Sequence, residues 1–241
     1  MEEIVAQPWD FRFLTEARVI FDPVGRFLNL VSEAREYFDS NPGRERMLLQ
    51  SNQVVNERLS WLTSCMDKNE WMTAGIAINA AWTDAGFSYS YFKHGSLSTG
   101  GLLPILRTLD FYKAYRDIHF GHPFLETERL LEALKRYRAY LFKADGDEFA
   151  LEPIQDQLAA RKAARYEKAN DFENISWQLQ AEALWCYLGA NTGLSFEQHF
   201  NQLPVAIRNY LVTLGYKPYT EEQVRILLQQ TYTMMELAEK E

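Results

Sequence analysis

Trp82, Asp84, Tyr89, Tyr91 and His94 fall within one short stretch and carry the side chains best suited to holding a ligand. Aromatic walls around a single carboxylate fit a cationic or sugar-like molecule, because ring faces are electron-rich and the acid fixes the charge. Aromatics at helical spacing are also what a helix buries in a core, which is the more ordinary reading of the same residues. His119 and His122 offer two imidazoles three positions apart. Zinc needs three or four ligands, and neither a Cys pair nor an HExxH stretch accompanies them, so no metal and no other resident cofactor is expected. Cys65 and Cys186 are distant in sequence and lack a neighbouring His, as buried, inert thiols do.

The chain that must position these residues has 241 of them, enough for one large or two modest cores, since single cores stop growing near roughly 250 residues. Its 47% apolar content and six Trp supply the surface a core needs. With 33 acids against 25 bases the net charge is −8, which favours cationic partners and argues against a broad nucleic-acid-binding face. Two cysteines and no basic, apolar leader point to a cytoplasmic protein. Asn79, Asp84 and Lys93 break the longest apolar stretch below the ~18 residues a spanning helix needs, so no membrane span is expected.

The stretch WDFRFL (9–14) alternates apolar Trp9, Phe11 and Phe13 with Asp10 and Arg12, the pattern of a half-buried strand, and ARVIF (17–21) offers a second. Asp22-Pro23 then predicts a turn that Gly25 relieves. From Arg26 the apolar residues Phe27, Leu30, Val31, Ala34 and Phe38 recur at helical spacing, and Asn41-Pro42-Gly43 punctuates the end of that segment. Further helices are expected over 44–66, 67–92, 102–109, 127–142, 151–171, 172–189, 203–214 and 220–238, the last opened by a Thr220/Gln223 capping box. Small residues on the segment 67–92, Ala74, Gly75, Ala77, Ala80 and Ala81, allow close helix approach. Asp145-Gly146-Asp147 is the best internal boundary. The order of segments 68–109 returns faintly in 170–211, as duplicated or merely similar helical hairpins do. The fold class is therefore mainly α: helical bundles with a short N-terminal two-stranded β element, divided at 1–25, 26–144 and 145–241.

The segment FLTEARVIFDPVGRFLNLVSEAREYF (13–38) resembles nucleotidyltransferases of the aminoglycoside-adenylyltransferase kind. There a hydrophobic strand and an aromatic-Asp-Pro-x-Gly step lead from the last strands of the polymerase-β-like catalytic domain into a helical domain. The step here is Ile20-Phe21-Asp22-Pro23-Val24-Gly25, and LLPILRTLD (102–110) is similar to a later part of the same helical domains and of the related HEPN proteins. The likeness covers about the first half of the chain. It implies that residues 1–25 are a residual strand element of such a catalytic domain and that Asp10 corresponds to the third carboxylate of its metal site, although a solvent-facing strand residue fits the same position.

The departures bear on activity. Those enzymes hold nucleotide phosphate with Gly-Ser and Mg²⁺ with a nearby Asp-x-Asp. Here Gly95-Ser96 and Asp145-x-Asp147 are far apart and sit in loops, so both read as turn residues. The resemblance thus implies a nucleotidyltransferase-related helical protein that binds a small cationic ligand or a partner chain, without transferase activity by itself. Mg²⁺ and nucleotide would enter only with a catalytic domain supplied by another chain, and a homodimer is a further possibility. Arg116-Asp-Ile-His-Phe-Gly-His122 also fits the loose Arg-to-His pattern of HEPN ribonucleases, in which Arg116 would steady a phosphate and His122 would do metal-independent acid–base work. A structural or protein-interaction module is the third reading.

Overall fold

The computed structural model describes residues 1–121, 125–144 and 148–240, and is mainly helical. In chain order the helices are α1 (Glu2–Ala6), α2 (Arg26–Asp39), α3 (Asn41–Asp67), α4 (Trp71–His94), α5 (Thr99–Leu106), α6 (Tyr112–His119), α7 (Thr127–Ala144), α8 (Ile154–Lys168), α9 (Phe172–Gly189), α10 (Phe196–Gln202), α11 (Val205–Thr213) and α12 (Glu221–Glu239). No helix among the described residues is long and apolar enough to cross a membrane.

The expected two-stranded element at the N-terminus is not formed; no strand occurs among the described residues. Residues 9–14 lead into a short 3₁₀ turn, Arg12–Thr15, because Pro8 and Trp9 start a series of local bonds: the N–H groups of Asp10, Phe11 and Arg12 donate to Gln7, Pro8 and Trp9. Of the three alternating aromatics only Trp9 is buried, while Phe13 faces outward, so alternation did not report a sheet face. Residues 17–21 have no neighbouring strand to complete a ladder, and a lone hairpin is marginal in water.

The helical readings hold better. Val31, Ala34 and Phe38 form the buried stripe of α2, as the spacing requires, whereas Phe27 in its first turn is exposed. Asn41-Pro42-Gly43 opens α3 as well as following α2, since proline is well suited to a first helical turn. Ser40 bridges the two helices: its hydroxyl donates to the Tyr37 carbonyl at 2.6 Å and accepts from Gly43 N–H at 3.2 Å. The Thr220/Gln223 capping box is present, with both reciprocal bonds made at 3.0 and 3.2 Å.

The chain forms two compact units, and the boundary falls within α3, α4 and α12 and between α5 and α6. The first comprises Met1–Ser64, Ala77–Leu109 and Arg225–Glu241, the second Cys65–Ile76 and Asp110–Val224. In the first, Trp9, Phe38, Met47, Ile78, Trp82 and Leu102 are among the fully buried side chains. Two polar pairs lie inside it: the Ser51 and Ser88 hydroxyls are 3.0 Å apart, and Trp82 Nε1 donates to Gln230 at 2.9 Å.

In the second unit α7, α8, α9 and α11 pack around Leu134, Tyr137, Leu141, Leu179 and Leu211. Arg138 is buried there, donating to the Ala150 carbonyl at 3.1 Å and paired with Asp156, with Glu182 at 3.7 Å. The N-termini of α4 and α10 cap one another. Met72 N–H donates to the Glu197 carboxylate at 2.9 Å, and Glu197 N–H donates to the Thr73 hydroxyl at 3.0 Å.

Candidate functional site

Trp82, Tyr89 and Tyr91 are buried, so the aromatic cluster is part of the first unit's interior. Tyr91 meets Trp9 edge-on at 5.9 Å, and Trp9 stacks on Phe92 at 6.4 Å, which anchors the N-terminal segment on α4. Only His94 of the five is exposed; its ring meets Tyr89 edge-on at 5.8 Å.

Asp84 is mostly enclosed. Burial raises its carboxyl above the ordinary value, and the nearby Arg58 and Arg12 guanidinium groups oppose that rise, with Arg58 Nε at 3.3 Å. Arg12 folds back over the rings of Trp9 and Phe13 at 4.8 and 4.5 Å and donates to the Trp9 carbonyl at 2.6 Å. Its own pKa is lowered by burial and supported by Asp84 and Asp10. The acid expected to meet a ligand's cation is therefore already beside two cations of its own chain.

Asp10 is exposed at the rim of an open groove of about 470 Å³, with Gln7, Arg46, Gln50, Gln53 and Glu57 around it. No cluster of three or more His, Cys, Asp or Glu side chains among the described residues could hold a metal ion.

In the second unit Arg116 pairs with its neighbour Asp117 at 3.2 Å. His122 lies outside the described residues, as does the acidic turn 145–147. His119 is fully buried: its Nδ1 and the Tyr219 hydroxyl share a hydrogen bond at 3.0 Å, and its ring stacks on Tyr115 at 5.0 Å. Burial lowers its pKa to about 3, with Lys217 acting in the same direction and Gln180 opposing, so it is neutral at pH 7. His199 is likewise buried, bonded to the Tyr137 hydroxyl at 3.0 Å, and lowered by burial. Both cysteines are buried, and burial raises the Cys186 thiol to about 11.

The feature that sequence reasoning misplaced is the run from Phe13 to Leu28. Ile20 is 97% exposed, Phe21 84% and Val24 73%, and Phe13, Phe27 and Leu28 are also uncovered. Arg18 to Phe21 take part in no backbone hydrogen bond within the described chain, and the backbone bends at Ile20. Both flanks of this bare stretch are held. Glu16 accepts from Leu97 N–H at 2.7 Å, and Arg35 donates to the Ala17 carbonyl at 2.9 Å. On the other side the Asp22 carbonyl accepts from Gly25 N–H, and the Asp22 carboxylate accepts from Leu28 N–H at 2.8 Å. Gly25 sits at φ 68°, the left-handed conformation for which glycine is suited. The β-branched composition was a visible signal; that none of the described residues covers it was not.

Compared with known proteins, the chain matches no family model, no curated protein and no solved structure.

Proposed function

We propose that this chain is a nucleotidyltransferase-related helical protein that acts by binding a partner chain, through the apolar run from Phe13 to Leu28, and does not transfer nucleotides by itself. The observation that carries the binding role is the nearly complete exposure of Ile20, Phe21 and Val24 on a segment whose two ends are pinned. Apolar side chains left this open cost free energy in water, and a group of them close in sequence suits an interaction site. Pinning the flanks lowers the ordering cost of docking. Support for the family relationship is the aromatic-Asp-Pro-x-Gly step, which folds as a turn feeding directly into α2.

The test places a photo-crosslinking phenylalanine analogue at Phe21, and in a control chain at Val205, in cells that make the protein. A discrete adduct from position 21 alone, lost on Ile20→Asp, is expected. An adduct pattern that is the same from both positions, or none from position 21, overturns the reading.

A further inference from the structure

Arg18 differs from the other basic residues of the chain in what its backbone does. Of the 25 Lys and Arg, nearly all lie in helices or in hydrogen-bonded turns. Lys217 does not, but it is half-buried and followed by Pro218, and Lys240 lies just past α12. Arg18 is exposed, and from Arg18 to Phe21 no backbone N–H or C=O has a partner among the described residues. We infer that the Arg18–Val19 peptide bond is a processing site, cut in the folded protein by an endopeptidase specific for basic residues, and that the severed N-terminal piece stays in place. Bare, exposed backbone of this kind is where folded chains are nicked.

Such an enzyme holds the basic side chain in a pocket with a carboxylate at its base and grips the adjoining backbone, drawn out straight, through its N–H and C=O groups. The native chain bends at Ile20, so the enzyme must straighten it. Straightening breaks no backbone hydrogen bond from Arg18 to Phe21, and on the other side only the two bonds of Ala17, to Leu14 and from Arg35, are at stake. Arg26 is also exposed, but it opens α2, and cleavage there must first unwind helix and give up its bonds. The bond after Phe21 suits an enzyme of aromatic specificity less well. Asp22 is held by the N–H groups of Gly25 and Leu28, and Pro23 has no N–H to offer.

In the cut, water adds across the amide: the carbon–nitrogen bond breaks, Arg18 ends in a carboxylate, and the Val19 nitrogen becomes an α-ammonium group. Residues 1–18 keep their hold on the first unit. Ile4 and Trp9 are buried, and Trp9 packs on Tyr91 and Phe92. Arg46 donates to the Ala6 carbonyl at 3.2 Å, Gln50 accepts from Trp9 N–H at 2.7 Å, and Glu16 accepts from Leu97 N–H at 2.7 Å. Residues 19–21 lose their N-terminal anchor while Asp22 keeps the other, so the exposed apolar run changes from a loop tethered at both ends to an arm with a free start. The site rests on backbone bonding and not on the partner-binding reading, so it stands or falls independently of the adduct from position 21.

The test treats the purified full chain with sparing trypsin and follows the products by intact mass, with circular dichroism to confirm folding of each variant. The first products should be residues 1–18 and 19–241, and they should elute together in native gel filtration. Arg18→Gln should slow the first cut at least tenfold, whereas Arg26→Gln should leave its rate unchanged. In cells that make the protein with a C-terminal tag, sequencing of the recovered chain should find a start at Val19 that Arg18→Gln removes. A first cut at another basic residue, or an Arg18→Gln chain cut as fast as the parent, overturns the site. Separation of 1–18 from 19–241 on the column overturns the retained piece. Absence of a Val19 start in cells overturns the processing role.

Discussion

The Asp22 carboxylate accepts a hydrogen bond from the backbone N–H of Leu28 at 2.8 Å, so the residue that opens the turn also satisfies a donor in the first turn of α2. The first four N–H groups of any helix lack intrahelical partners, and an acidic side chain there also meets the positive end of the helix dipole. Gly25, the residue directly before α2, has no side chain to offer, which leaves this task to Asp22.

Replacing Asp22 by Ala should therefore destabilise the protein by about 1 kcal/mol. Asn at the same position should retain most of the stability. Urea unfolding followed by circular dichroism measures both; an unchanged midpoint for the Ala variant would show that the bond contributes nothing.

Glu197 and Thr73 give a second prediction. Each supplies an atom to the N-terminus of the helix opposite, with Glu197 serving Met72 N–H and Thr73 serving Glu197 N–H. Glu197→Ala and Thr73→Val should each cost about 1 kcal/mol, because each strands one backbone donor. Equal stability of both variants with the parent chain is the contrary result.

Acid should weaken the native state through His119. Its folded pKa lies near 3, below the ordinary value of 6.5, so the unfolded chain binds the proton more readily. Stability from keeping this ring neutral is fully present above pH 6.5 and is lost as pH falls toward 3, at up to about 1.4 kcal/mol per pH unit for one proton. His199 is shifted in the same direction. Asp84 is shifted upward by burial, which is the opposite sign for stability: the cost of keeping it ionised is relieved as the pH falls. Unfolding free energies at pH 7.0, 6.0 and 5.0 should decline accordingly, and His119→Gln should flatten the decline. A slope that His119→Gln leaves unchanged would assign the acid sensitivity elsewhere.

Arg138 should be among the costliest single sites. It is buried between Asp156, Glu182 and the Ala150 carbonyl. Arg138→Ala leaves Asp156 and Glu182 without the cation they share, for a loss of about 3 kcal/mol. Lys162 lies 2.8 Å from Glu182 and keeps that acid partly compensated. Thermal unfolding of Arg138→Ala beside Arg138→Ala/Asp156→Ala should show the double variant recovering part of the loss.

Gly75 tests close packing in the second unit. A methyl group there would approach the Tyr219 ring to 3.0 Å, and that ring carries the hydroxyl bonded to His119. Gly75→Ala should destabilise by roughly 1–3 kcal/mol, although alanine is the better helix former. A rise in the melting temperature would mean that Tyr219 shifts freely.

The order and character of the long helices were legible in the chain, because a 3.6-residue period and a capping box such as Thr220/Gln223 are local properties. The buried stripe Val31, Ala34 and Phe38 could be read for the same reason. What the sequence could not determine was whether an element had a partner. Residues 9–14 and 17–21 have strand composition, but a strand exists only where another supplies its hydrogen bonds, and here Trp9 found a place against Tyr91 and Phe92 instead. Burial is likewise a property of the packed molecule. Trp82, Tyr89 and Ile20 are all large apolar side chains, and only the tertiary structure made the first two part of the interior and left the third in water.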